Sequence, residues 1–173
     1  MGTIKATNIE PIANNGTVTL GSSGDTFTLA TGAKSSFLYP AFIAYNANTQ
    51  SIANATYTTY QYETEVLDTD NGYNTGNYTY TIPTAGKYYI GAVAKKATAG
   101  STDRLIIRLN KNGSENFYEE NYSKDYASVS FNTILSLSAS DTLSIDIYQN
   151  TGGSINMQAG SKYSVFYAYR IGS

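Results

Sequence analysis

Apolar side chains in this sequence recur mainly at alternate positions, the two-residue period of half-buried strands, and not at the 3.6-residue spacing of helices. Tyr78, Tyr80 and Ile82 form one such series, Leu105, Ile107 and Leu109 a second, and Leu143, Ile145 and Ile147 a third. Because successive side chains of a strand point to opposite faces, each series predicts one buried face. The stretches between them are turn-forming: Asp70-Asn71-Gly72, Thr98-Ala99-Gly100-Ser101, Asn110-Lys111-Asn112-Gly113 and Asn150-Thr151-Gly152-Gly153. Gly and Asn tolerate the positive φ that tight hairpins require. Many short strands joined by regular turns predict an all-β sandwich or barrel.

Composition narrows the function classes. A chain of 173 residues is expected to build one domain with its own core. Hydrophobic residues make up 41% and charged residues 14%, which is too apolar for a disordered tail. A net charge of −2 offers no basic stripe for nucleic acid. No apolar run approaches the roughly 18 residues of a membrane span. Neither nucleic acid nor a membrane is therefore an expected partner. The absence of His and Cys removes imidazole and thiolate zinc sites, Ser-His-Asp and Cys-His nucleophiles, and disulfide scaffolds. No enzymatic activity is expected. The start, Met1 to Asn8, lacks the apolar segment of a secretory signal, which gives an expectation of assembly in a cytoplasm.

Residues 1 to 36 read as a separate arm, short and rich in Gly, Ser and Thr. Thr17-Val18-Thr19-Leu20 is echoed by Thr26-Phe27-Thr28-Leu29 across the turn Gly21-Ser22-Ser23-Gly24-Asp25. A lone hairpin is marginal in water, so Val18, Leu20, Phe27 and Leu29 are expected to anchor the arm by burial against a neighbouring subunit or docking protein.

Candidate chemistry is sparse. Asp68-Thr69-Asp70-Asn71-Gly72 places two carboxylates in a Gly turn, but its spacing departs from a calcium loop and fits a plain hairpin turn. Glu63 and Glu65 stand two apart on a predicted strand. A glycosidase pair needs carboxylates held across a cleft, about 5 to 9.5 Å apart, so this pair reads as a solvated stripe. The segment from Ser114 to Tyr126 is expected to be an exposed recognition loop. Phe117, Tyr118 and Tyr122 would stack on a sugar face, with Glu119, Glu120 and Asp125 as polar or calcium-binding partners; no other cofactor is expected. The 17 Tyr point to assembly, since Tyr offers large contact area at low entropic cost. Along Tyr163 to Tyr169 both faces of one strand carry rings or branched apolar groups, more than one core can hide.

From Ser36 to Ser173 the chain resembles the globular heads of complement component one-q and the related tumour necrosis factor family. Gly72-Tyr73-Asn74-Thr75-Gly76-Asn77-Tyr78-Thr79-Tyr80-Thr81-Ile82-Pro83-Thr84-Ala85-Gly86-Lys87-Tyr88-Tyr89-Ile90 carries most of the likeness. Pro40-Ala41-Phe42-Ile43-Ala44, Ser140-Asp141-Thr142-Leu143 and Tyr163-Ser164-Val165-Phe166-Tyr167-Ala168-Tyr169 support it, with Val165 where the family prefers Gly. The resemblance implies a ten-stranded antiparallel jelly-roll sandwich over residues 37–173 that assembles as a homotrimer, with Tyr89, Tyr148, Tyr167 and Tyr169 covered between copies. Asn15 to Leu29 is similar to segments preceding heads in phage and other viral fibre proteins. That similarity implies a virion structural protein, attached to other virion proteins through the arm and displaying its head as a fibre tip or decoration, with a host surface glycan or protein as possible receptor. The alternative is a soluble carbohydrate- or protein-binding module of cellular origin.

Overall fold

A computed structural model describes residues 40–98, 104–122 and 125–172. The arm, with Val18, Leu20, Phe27 and Leu29, lies outside the described residues. The head is all-β, and its strands are β1 (Ala41–Tyr45), β2 (Gln50–Ile52), β3 (Thr58–Thr59), β4 (Thr64–Asp68), β5 (Tyr73–Asn74), β6 (Thr79–Thr81), β7 (Gly86–Lys95), β8 (Leu105–Lys111), β9 (Ser114–Asn121), β10 (Ser128–Leu137), β11 (Thr142–Gln149), β12 (Ile155–Met157) and β13 (Val165–Gly172). One sheet runs β10, β7, β13, β1, β4; the other runs β5, β6, β11, β8, β9, with β3 also paired to β11. The pairings between these strands are antiparallel, and β12 with β2 makes a small third sheet. Strands adjacent in space are mostly distant in sequence, which is the jelly-roll signature.

Alternation builds the core as the sequence predicts. Leu105, Ile107 and Leu109 from β8 and Leu143, Ile145 and Ile147 from β11 are buried and face Ile90, Ala92 and Ala94 of β7 and Phe166 and Ala168 of β13. Aromatic rings form one part of this core. Phe42 stacks on Tyr80 at 4.0 Å and on Tyr73 at 5.0 Å, with Phe166 edge-on at 4.8 Å. The buried phenols mostly find acceptors or donors, as a buried hydroxyl must. The Tyr62 hydroxyl donates to the Val93 carbonyl, the Tyr73 hydroxyl to the Tyr62 carbonyl, and Ser164 donates to the Tyr60 hydroxyl. Burial pushes the Tyr60 phenol up to about 12, against the opposing effect of Ser164.

Of the predicted turns, Thr98-Ala99-Gly100-Ser101 falls largely outside the described residues, and others can be compared directly. Asn112 and Gly113 take φ of 53° and 75°, the two-residue hairpin turn joining β8 to β9. Tyr78 does not continue the alternation of Tyr80 and Ile82. Its φ of 60° places it in the turn before β6, where its N–H donates to the Asn74 carbonyl. The Asp68 carboxylate accepts the backbone N–H groups of Tyr73 and Asp70, so the Asp68–Gly72 turn is closed by its own donors. Gly86 follows Pro83 at the entry to β7, and a Cβ there would run into the Gly172 carbonyl and the Arg170 side chain.

At the β10–β11 turn, Asp141 accepts from Asn112, from the Ser138 N–H and from Lys111 Nζ at 2.9 Å. These donors, the Asn112 amide first, hold its carboxyl down at about 2. A folded value below the unfolded ~3.9 means that the contribution is complete above roughly pH 4 and is lost as pH falls through about 2. Asp141→Asn should therefore flatten the acid limb of stability in that window, measured by urea unfolding at stepped pH. An acid limb identical to that of the parent chain would refute the assignment.

Candidate functional site

The outer face of the β10-β7-β13-β1-β4 sheet concentrates what a soluble surface normally avoids. The registers align three rows across it. The first is Ile134, Tyr89, Tyr169, Ala41; the second is Asn132, Gly91, Tyr167, Ile43, Leu67; the third is Ser130, Val93, Val165, Tyr45, Thr64. None of these positions carries Asp, Glu, Lys or Arg. Lysines flank the rows at either end of β7: Lys87 pairs with Ser136 and Lys95 with Ser128. Ile134, Leu67 and Tyr169 are 56%, 49% and 39% exposed. Between β4 and β13 lies an open apolar groove of about 420 Å³, lined by Ala41, Ile43, Leu67, Tyr167 and Tyr169.

The alternation of β7 and β13 creates this face. Tyr88, Ile90 and Ala92 point into the core, so Tyr89, Gly91 and Val93 point out; on β13, Phe166 and Ala168 point in and Tyr167 and Tyr169 out. Tyr89 meets Tyr169 at 5.3 Å and Tyr167 at 6.3 Å between ring centroids. Partial burial raises the Tyr167 phenol, and the Tyr89 and Tyr169 phenols add to the effect. The Tyr167 hydroxyl thus stays uncharged across the physiological range. Val165 takes an outward position in the third row, beside Val93 and Tyr45, and enlarges the apolar face.

Tyr148 does not join this cluster. It lies on β11 in the opposite sheet, where its ring packs against Tyr57 at 4.9 Å. Around it is a network the sequence does not announce. The Arg108 guanidinium sits 3.7 Å over the Tyr57 ring and bonds Asp146 at 2.6 Å. Asn110 and Thr59 also donate to Asp146. Asp146 is 7% exposed, and the three donors offset the cost of burying its charge.

The expected recognition loop is a correction. Ser114–Asn121 forms strand β9, because the Asn112-Gly113 turn folds the chain straight back onto β8. Its low apolar content fits an edge strand, where charge deters unwanted pairing. The site residues therefore separate. Phe117 packs into the sandwich against Phe131 at 5.4 Å, while Tyr118 on the other side opposes Arg108. Glu120 is bound to Arg104 at 2.5 Å and accepts from the Tyr122 hydroxyl. Tyr118, Glu119, Tyr122 and Asp125 remain exposed. Among the described residues no three carboxylates gather as cation ligands. The Glu63 carboxylate accepts N–H donors from Ala47 and Asn48 and closes that loop, while Glu65 lies on β4.

Two antiparallel sheets in this strand order, closed over an aromatic core, make a jelly-roll fold. Solved structures match at that level: the globular domain of a zebrafish complement 1qA protein (18% identity, 76% of this chain and 97% of that one, TM-score 0.57), Eiger TNF from S. frugiperda (12%, 75% and 90%, 0.58) and murine APRIL at pH 8.0 (13%, 75% and 97%, 0.57). No protein-family model and no curated protein sequence matches the chain.

Proposed function

We propose that the chain is a self-associating display protein, a homotrimer whose copies bury the outer face of the five-stranded sheet around a common axis. The uncharged three-row face carries this reading: contiguous exposed apolar surface of this kind marks an interaction site, and depletion of charge with enrichment of Tyr is the composition of an interface centre. The resemblance over residues 36–173 supplies the number three. Within this class the chain serves as a virion structural protein, its head displayed as a fibre tip or decoration and its arm attached to other virion proteins. The repeated Thr-x-Thr-Leu segments of the arm and the absence of Cys support that assignment. Contact with a host glycan or protein falls to Tyr118 and Tyr122, exposed rings at the β9 margin. A cellular binding module is the second reading, favoured by the animal origin of the solved structures with this fold.

Light scattering on the full chain is expected to give a mass near three chains at micromolar concentration. A stable monomer would end the assembly reading. Recovery of the chain from purified particles decides between the virion and the cellular assignment.

A further inference from the structure

Three residues on the outer face are fitted to one another more closely than a solvated sheet requires. Gly91 sits in the middle of β7, an interior strand, where a glycine loses backbone entropy and contributes no packing. Its register partners are Asn132 on one side and Tyr167 on the other. A Cβ at Gly91 would collide with Tyr167 Cζ and Oη and with Asn132 Oδ1. The hydroxyl end of the Tyr167 ring therefore lies over Gly91, and the hydroxyl donates to Asn132 Oδ1 at 2.6 Å. Gly91 is buried on the outward side of its sheet, covered by that ring.

We propose that Gly91 and Asn132 are positioning residues for self-association: they hold Tyr167 in one orientation and occupy its hydroxyl, so that a second copy of this chain meets a preset, internally satisfied surface. This rests on the proposed burial of the face between copies. Two physical consequences favour a second copy over an adaptable ligand site. A side chain already fixed loses little rotamer freedom on docking. A hydroxyl already bonded can be covered by apolar groups without leaving a buried donor unmet, whereas an unmet one is costly. Tyr167 also contributes to the wall of the apolar groove, so its orientation sets the shape offered to the incoming subunit.

The test compares the full chain with Asn132→Ala, Asn132→Ala/Tyr167→Phe and Gly91→Ala by sedimentation over a dilution series, with thermal unfolding of each as the check on folding. Asn132→Ala removes the acceptor of the Tyr167 hydroxyl and leaves that hydroxyl to the Tyr89 phenol, so the concentration at half-dissociation is expected to rise up to about tenfold, the scale of one weakened buried hydrogen bond. Removing the hydroxyl as well should restore most of the loss, a rescue that a merely structural role for Asn132 does not produce. Gly91→Ala should lift the ring and weaken assembly further. Failure of Gly91→Ala to fold leaves the Asn132 pair of variants to decide. If the parent chain is monomeric, the assembly reading fails and this inference with it. If the parent assembles and Asn132→Ala dissociates no more readily than the parent, or the double variant shows no rescue, the positioning role alone is overturned.

Discussion

Tyr169→Asp is expected to yield a folded monomer. In the separate head this side chain is 39% exposed, so a carboxylate there meets water and the sandwich is undisturbed. In the assembly the same carboxylate would face apolar rows with no cation among their fourteen positions. An unpaired buried charge costs about 3 to 5 kcal/mol, and a cyclic trimer meets it at each of its interfaces. Light scattering should therefore report single chains at concentrations where the parent is trimeric, with an unchanged far-ultraviolet spectrum. A Tyr169→Asp protein that stayed trimeric would place the interface on another surface.

The largest loss of fold stability is expected from Phe42→Ala. Phe42 is 2% exposed on β1 and touches rings from three other segments: Tyr73, Tyr80 and Phe166. Truncating a buried Phe removes its transfer free energy and leaves a cavity that stiff neighbouring strands fill poorly, about 3 to 5 kcal/mol together. A domain of this size is stable by roughly 5 to 15 kcal/mol, so the variant stands near the edge of folding. Urea unfolding at neutral pH measures the shift. A loss below about 1 kcal/mol would mean that the aromatic cluster relaxes around the gap and does not hold the core together.

The β8–β9 hairpin shows why edge and face cannot be read from composition. Segment 114–126 carries acidic groups and rings without a clean apolar period, so it reads as a loop. The turn in front of it returns the chain along β8, and the backbone ladder forms whatever the outward side chains are. Side chains suggested for one ligand site are thereby divided between the two sides of a strand. One isolated glycine inside an alternating run, Gly91 between Tyr89 and Val93, is the signal in the sequence that marks a close approach on the outer face.

Strand period, the Asn112-Gly113 turn and the alternating buried residues of β8 and β11 were determined by the sequence itself, because alternation and positive-φ turns are local properties of a few consecutive residues. So was the surplus of aromatic side chains on the last strand. Which tyrosines share a surface was decided only in three dimensions. Tyr89, Tyr167 and Tyr169 come together and Tyr148 goes to the opposite sheet, although each lies on a strand of the same period. The Asn132, Gly91, Tyr167 row and the Arg108, Asp146, Tyr57 network likewise join residues far apart along the chain. Sheet membership and register are set by ladders between distant strands and by the single core those strands close over, and no local pattern encodes that pairing.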